Sequence, residues 1–313
     1  MAAFRDASEE VIRQEREKRH HLLANDLEKI LYGRSPSNPL PKDTLLEHLP
    51  TDRERKLPLV HVREPFRRLE DVVLSDENSS VLDEILQEYH RVEVLRSHGL
   101  FPVDRLLFCG PPGCGKTLTA EVIAAELSLP LAMVRIDSVI SSYLGETASN
   151  LRQVFDFASA IPMVMLFDEF DALAKERADE ADHGELKRVV NAFLQMLDGY
   201  EGKSLLIAAT NHESILDSAV WRRFDDVLVF EKPNNEQIRK LLSIKLRGLR
   251  REFEIEDMGI TGLFKGMSHA DIERILRRAA KDMILSGSEF LNKRHIEAAV
   301  RREDARKARI QGG

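Results

Sequence analysis

The sequence is poor in cysteine, lacks long apolar runs and carries no surplus of positive charge, and each shortage closes off a class of protein. Only Cys109 and Cys114 are present. Two cysteines with no partnering histidine nearby build neither a disulfide framework nor a zinc site. The longest apolar stretch, Ile161 to Phe167, falls far short of the roughly 18 residues that a membrane span needs. The N-terminus is charged from Arg5 onward and does not read as a signal peptide. Lys plus Arg number 46 and Asp plus Glu 53, so 46 − 53 gives a formal charge of −7, whereas a dedicated nucleic-acid binder is more often basic. No His-Glu-x-x-His and no serine nucleophile elbow occurs, so any proteolysis must come from another chain. The expectation is a soluble, cytoplasmic protein with no membrane partner, and the charge weighs against nucleic acid.

What is present suits a folded enzyme. With 43% hydrophobic and 32% charged residues over 313 positions, the chain can bury a large core beneath a charged surface, and its length suggests about two domains. From Ser8 to Leu31 sparse apolar positions recur at helical spacing (Ile12, Leu23, Leu27, Ile30, Leu31), with Gly33 as a stop. Pro36, Pro39, Pro41, Pro50 and Pro58 then make residues 34–62 a linker or lightly structured arm. The expected division is an N-terminal helix and Pro-rich linker over 1–61, an α/β domain over 62–232, and a helical domain over 233–313.

Short apolar runs at Arg105 to Cys109, Leu131 to Ile136, Met163 to Phe167, Leu205 to Ala209 and Val227 to Phe230 alternate with helical patterns. This predicts a doubly wound, mainly parallel sheet covered on both faces. After Pro233 the strands cease. Asn234 or Asn235 can cap a helix to Leu249, Ser268 caps another to about Leu285, and a third spans about Asn292 to Arg309.

Directly after the first of those strands comes Gly110-Pro111-Pro112-Gly113-Cys114-Gly115-Lys116-Thr117, with a helix opening at Leu118. In this G-x-x-x-x-G-K-[ST] order the glycines let backbone N–H groups turn toward phosphate oxygens and the helix N-terminus adds positive potential. Lys116 reaches the β- and γ-phosphates, and the Thr117 hydroxyl ligates Mg²⁺. A second signal is the strand Met163 to Phe167 running into Asp168-Glu169. Alone it is a strand that surfaces. Beside a phosphate loop, Asp168 can hold Mg²⁺ through water while Glu169 polarises the attacking water. Asp171 reads as a helix start. Asn211, at the C-terminal end of the fourth strand, is a turn residue or an amide that orients water, since ligands of an open parallel sheet bind at that edge.

Together these residues resemble the AAA family of ATPases, over about Phe66 to Val300. Phe66-Arg67-Arg68-Leu69-Glu70-Asp71-Val72 is similar to the family's opening segment, whose backbone near Asp71 to Val73 contacts adenine. Gly110 to Thr117 matches Walker A, Phe167-Asp168-Glu169 Walker B, and Ala209-Thr210-Asn211 sensor 1. Thr210 to Asp225 resembles the second region of homology, whose arginines reach the nucleotide of a neighbouring subunit. The resemblance implies a P-loop NTPase sheet of order 5-1-4-3-2, a small helical lid, ATP and Mg²⁺ as cofactors, and a nucleotide-dependent homo-hexamer. Ser142-Tyr143-Leu144-Gly145-Glu146 resembles the family's pore loop, in which Tyr143 and Leu144 grip a polypeptide and Gly145 bends the loop. The acidic stretch Asp179 to Arg188 either borders the same channel or is a solvated face.

Three departures stand out. Arg222 and Arg223 are adjacent, as in the branch of microtubule-severing and membrane-scaffold-disassembling members, so either could touch phosphate. Glu213 replaces a common proline. Ser268-His269-Ala270-Asp271 replaces Ser-Gly-Ala-Asp at the lid's nucleotide-facing turn, where His269 either alters adenine contacts and nucleotide release or is a solvent-facing helix residue. The implied function is ATP-driven remodelling or unfolding of a protein through a central pore. The alternatives are a nucleotide-dependent switch acting on a separately encoded effector, such as a protease, and a nucleic-acid motor. For the last, the best sign is the basic stretch Lys293 to Arg309, with seven Lys or Arg against three acids.

Overall fold

The computed structural model describes Val11 and residues 49–52, 56–140, 144–170, 183–212 and 218–311. The helix expected over Ser8 to Leu31 otherwise lies outside the described residues, as do Tyr143, Asp171 and Glu213. The described chain forms two compact units. The first takes residues up to Val72, Asn78–Cys109 and Lys116–Val229; the second takes Val73–Glu77, Gly110–Gly115 and the chain from Phe230 onward.

The first unit is built on strands β1 (Val60–Arg63), β2 (Arg105–Cys109), β3 (Leu131–Val134), β4 (Val164–Phe167), β5 (Leu205–Thr210) and β6 (Asp226–Val229). They form one sheet of order β1-β3-β4-β5-β2-β6. All neighbours from β3 to β6 pair in parallel. Counted in chain order, these five run 2-3-4-1-5, which is the expected 5-1-4-3-2 met from the other edge. Every residue of β4 and β5 is buried, as the unbroken apolar runs Val-Met-Leu-Phe and Leu-Leu-Ile-Ala-Ala-Thr require of strands covered on both faces.

The sixth strand is an addition. β1 comes from the stretch read as a linker and pairs antiparallel with β3, Val60 opposite Val134. The chain before it turns back on itself, the Leu59 N–H donating to the Pro50 carbonyl at 2.8 Å and the Arg135 N–H to the Leu59 carbonyl at 2.8 Å. A four-residue edge strand behind a proline leaves no periodic signal, which is why it is invisible to pattern.

Between the strands lie α1 (Asp76–His90), α2 (Val92–Ser97), α3 (Lys116–Glu126), α4 (Ile136–Val139), α5 (Leu144–Ala160), α6 (His183–Asp198) and α7 (Ser218–Trp221). An aromatic cluster clamps α5 and α6 onto the end of β4: the Phe167 ring lies 5.6 Å from Phe155 and 5.0 Å from Phe193, and Phe170 lies 4.7 Å from Phe193. Such offset and edge-on pairs add about 0.5–1.5 kcal/mol each beyond area burial, and here they fix the strand end from which Asp168 and Glu169 emerge.

The second unit carries α8 (Asn235–Lys245), α9 (Met258–Thr261), α10 (His269–Leu285) and α11 (Lys293–Gln311). Asn234 and Ser268 are the helix caps, each in a reciprocal box with the residue three positions on, Gln237 and Asp271. This satisfies donors that the first helical turn leaves open. The core joins Ile238, Leu242, Ile260, Phe264, Ile272, Ile275, Leu276, Ala279, Leu291, Ile296 and Ala299. Among the described residues no helix is long and apolar enough to cross a membrane.

Candidate nucleotide site

Sheet register assembles the site of the first unit. β2 and β5 pair with Cys109 opposite Thr210, so Asn211 emerges beside the strand that feeds the glycine-rich loop. β4 and β5 pair with Phe167 opposite Ala208, and the Phe170 N–H donates to the Ala209 carbonyl at 2.8 Å, which holds Asp168 and Glu169 at the same end of the sheet. Helix α3 begins at Lys116, two residues before the expected Leu118, because Lys116 and Thr117 already carry helical geometry.

Two side-chain pairs then form across strands. The Lys116 ammonium, buried at 6% exposure, donates to Asn211 Oδ1 at 2.8 Å. The Thr117 hydroxyl donates to Asp168 Oδ2 at 2.6 Å, a length typical of a bond to a carboxylate. The other Asp168 oxygen accepts from the Glu169 N–H at 2.9 Å. Glu169 is exposed and has φ +53°, a left-handed backbone that costs a side-chain-bearing residue about 1–2 kcal/mol. Strain of this kind persists where the surroundings over-determine it, and here the flanking bonds from Glu169 and Phe170 do so.

The hydroxyl and carboxylate of Thr117 and Asp168 are the hard oxygen donors that Mg²⁺ takes. Among the described residues no group of three or more His, Cys, Asp or Glu is placed to hold a metal.

In the same unit, Asp71 closes a 3-10 turn, Leu69–Asp71, its Oδ2 accepting from the Arg68 N–H at 3.0 Å, with Val72 following. Glu126 of α3 accepts from the Leu69 N–H at 3.4 Å; burial pushes its carboxyl up to about 7, against the pull of that N–H and of Arg68. Arg222 is exposed. Arg223 is not equivalent to it, its Nε donating to Asp198 Oδ2 at 2.9 Å at the C-terminal end of α6. No spacing in the sequence announces Asp198, which lies 25 residues from its partner.

In the second unit, the glycine-rich loop packs on the start of α10. At Gly110 (φ +135°) a Cβ would lie 1.9 Å from the Phe230 carbonyl oxygen, and at Gly113 (φ +75°) it would lie 2.9 Å from Ala270 Cβ and 3.1 Å from Ser268 Oγ. Neither position admits a side chain. Pro111, Pro112, Cys114 and Gly115 complete the loop, with Cys114 buried. His269 is not solvent-facing as one of its two expected readings had it: both ring nitrogens are shielded from solvent and, among the described residues, meet no partner in good hydrogen-bond geometry. Burial lowers the imidazole to about 4, the nearby Val73 backbone offsetting this only in part, so the ring is neutral at physiological pH.

Two expectations change. Leu144 and Gly145 stand in the first turn of α5, and Gly145 is not among the glycines with positive φ, so it supplies no bend; the following Glu146 and the helical pattern through Ala160 extend the helix to this point. Of the stretch Asp179 to Arg188, the part from His183 is helical and the rest lies outside the described residues. Three of the seven basic residues of the C-terminal stretch are paired within the unit: Arg302 with Asp282 at 3.2 Å, Arg306 with Glu303 at 2.7 Å and Lys307 with Asp271 at 2.7 Å.

Comparison with known proteins agrees with this geometry. The sequence model of the family described as "ATPase family associated with various cellular activities (AAA)" matches residues 106–232. An uncharacterized AAA family ATPase of Sinorhizobium fredii is 42% identical over 305 residues, covering 97% of this chain and 92% of that protein. A protein of Methanothermobacter marburgensis named as a homolog of a 26S proteasome regulatory subunit is 32% identical over 203 residues, 64% of this chain and 55% of its own. A similarly named protein of Methanothermobacter thermautotrophicus is 29% identical over 286 residues, 90% of this chain and 74% of its own. The chain belongs to the AAA family of ATPases and is an ATP-hydrolysing enzyme.

Proposed function

We propose that the protein works as a cytoplasmic homo-hexamer in which Mg²⁺-dependent ATP turnover drives remodelling or unfolding of a polypeptide partner. Residues 62–232 form the ATPase domain, joined at its sheet edge by the strand that starts at Val60, 233–313 the lid, and the chain before that strand an arm. The observation that carries the reading is the pairing of Lys116 with Asn211 and of Thr117 with Asp168 at the ends of three neighbouring parallel strands. A γ-phosphate needs a cation, an oriented water and a base, and these four side chains with Glu169 cover those needs. Gly110 to Gly115 turn backbone N–H groups to the phosphates, Lys116 neutralises the β- and γ-oxygens, and Thr117 and Asp168 would hold Mg²⁺, which supplies charge neutralisation when bound. Glu169 accepts a proton from the attacking water and Asn211 orients it. The backbone of Asp71 and Val72 is assigned to the base, and His269, at the start of α10, to nucleotide binding.

Arg222 is the side chain that reaches a neighbouring subunit's γ-phosphate, because Arg223 is tied to Asp198. A trans arginine is worth roughly 10³ to 10⁵ in rate. Relatives named as homologs of a proteasome regulatory subunit support a protein as the substrate, gripped at Tyr143 and Leu144. The internal pairing of Arg302, Arg306 and Lys307 and the net charge of −7 weigh against a nucleic-acid motor.

Nucleotide affinity and turnover of two variants test the assignment. Lys116→Ala should lose nucleotide binding, and Glu169→Gln should bind normally while hydrolysis falls by orders of magnitude. Wild-type turnover in Glu169→Gln would sink the role given to that carboxylate.

A further inference from the structure

The first turn of α10 is held from two sides. On one side it meets the glycine-rich loop, with Ala270 and Ser268 filling the space that a side chain at Gly113 would need and the Ala270 N–H donating to the Gly113 carbonyl at 3.0 Å. On the other it is gripped by α11. Lys307 Nζ donates to Asp271 Oδ2 at 2.7 Å. Arg274 reaches Asp271 Oδ1 at 3.3 Å and Glu303 Oε1 at 2.6 Å. Arg306 closes on both Glu303 oxygens, at 2.7 and 3.2 Å.

Asp271 is also the acid of the capping box. Its own N–H donates to Ser268 Oγ at 3.2 Å and its Oδ2 accepts from the Ser268 N–H at 3.3 Å. Lys307 therefore pulls on the same oxygen that fixes Ser268. Burial would raise the Asp271 carboxyl, but the bonds from Lys307 and Ser268 hold it below its ordinary value. Glu303 is only 2% exposed, and a buried carboxylate is tolerable when guanidinium partners compensate it. An isolated surface ion pair contributes little. These pairs differ in that they share two carboxylates and end on one helix cap that touches the loop.

We propose that Lys307, Arg274 and Glu303 are positioning residues for nucleotide binding: through Asp271 they hold the Ser268–Ala270 turn against Gly113, so that helix α11 sets how tightly the loop retains ATP. The inference rests on reading Gly110–Thr117 as the phosphate loop. Release of the clamp leaves the turn free to leave Gly113, and affinity falls by the fraction of time the loop is unsupported.

The test uses the full chain and a fluorescent ATP analogue with Mg²⁺. Arg274→Ala combined with Lys307→Ala leaves Glu303 paired with Arg306, and should weaken the Kd about tenfold while turnover at saturating ATP stays within about twofold. Amide exchange at Ala270 should accelerate, and Lys307→Arg should retain wild-type affinity. Lys307→Met, which keeps the length of the stem, should weaken the Kd about threefold and serves if the double variant fails to fold. An unchanged Kd in variants whose melting temperature falls would overturn the proposal and leave the clamp a stabilising feature only. Wild-type affinity in Lys116→Ala would instead sink the phosphate-loop reading itself.

Discussion

Acid should weaken this protein through His269, and the size of the effect follows from its surroundings. Burial holds the imidazole at about 4 against an ordinary 6.5. A histidine whose folded pKa is depressed takes up its proton more readily in the unfolded chain, so its contribution is intact above 6.5 and is lost as pH falls from there toward 4. At pH 5.0 the loss relative to pH 7.5 is about 2 kcal/mol, read as a lower melting temperature. Asp104 and Glu126 act in the opposite sense, since burial raises them to about 6 and about 7, and folded carboxylic acids of that kind gain stability as pH falls. The measurement is therefore a difference: melting of the parent protein and of His269→Ala at both pH values. The variant also loses packing, which shifts both of its temperatures alike. The parent should lose about 2 kcal/mol more than the variant on acidification, and equal losses in the two would refute the assignment of a shielded, neutral ring.

The two arginines should separate. Arg222→Ala should lower hydrolysis by about 10³ or more with nucleotide affinity retained, whereas Asp198→Ala, which frees Arg223 from its ion pair, should change turnover by less than about tenfold; turnover that survives Arg222→Ala but not Arg223→Ala reverses the assignment. Tyr143→Ala should leave basal ATPase within a fewfold of the parent and abolish unfolding of a tagged model protein, and unimpaired unfolding would refute the grip assigned to this side chain.

Much of the site can be read from the sequence because its parts are local. The phosphate loop is one uninterrupted run of eight residues, Gly110 to Thr117, and the inner strands β4 and β5 are almost wholly apolar because both faces are covered. The lid helices announce themselves by their caps, Asn234 and Ser268. Interactions across long separations leave no such mark. Asp198 and Arg223 meet only once α6 and the segment after α7 are folded, and the charges of α11 look like a basic surface until Asp271 and Asp282 are set against Lys307 and Arg302. Strand β1 is too short for alternation to register. The shielding of His269 depends on neighbours distant in sequence, so a helix-start position that reads as solvent-facing turns inward.

The placement of β2 between β5 and β6 also governs how the chain must be made. Its two neighbours are β5 and β6, both synthesised after β3 and β4. From Cys109 to Leu205 the ribosome adds 205 − 109 = 96 residues, which at ordinary elongation rates takes roughly 5 to 20 s. For that interval Leu-Leu-Phe-Cys has no edge to pair with, and the glycine-rich loop that follows it has no strand to anchor its base. Parallel pairing over such separation is slow and leaves apolar edges open. The nascent protein thus passes through a stage in which an apolar strand waits for both of its neighbours, and the base of the glycine-rich loop is anchored only when β5 and β6 arrive.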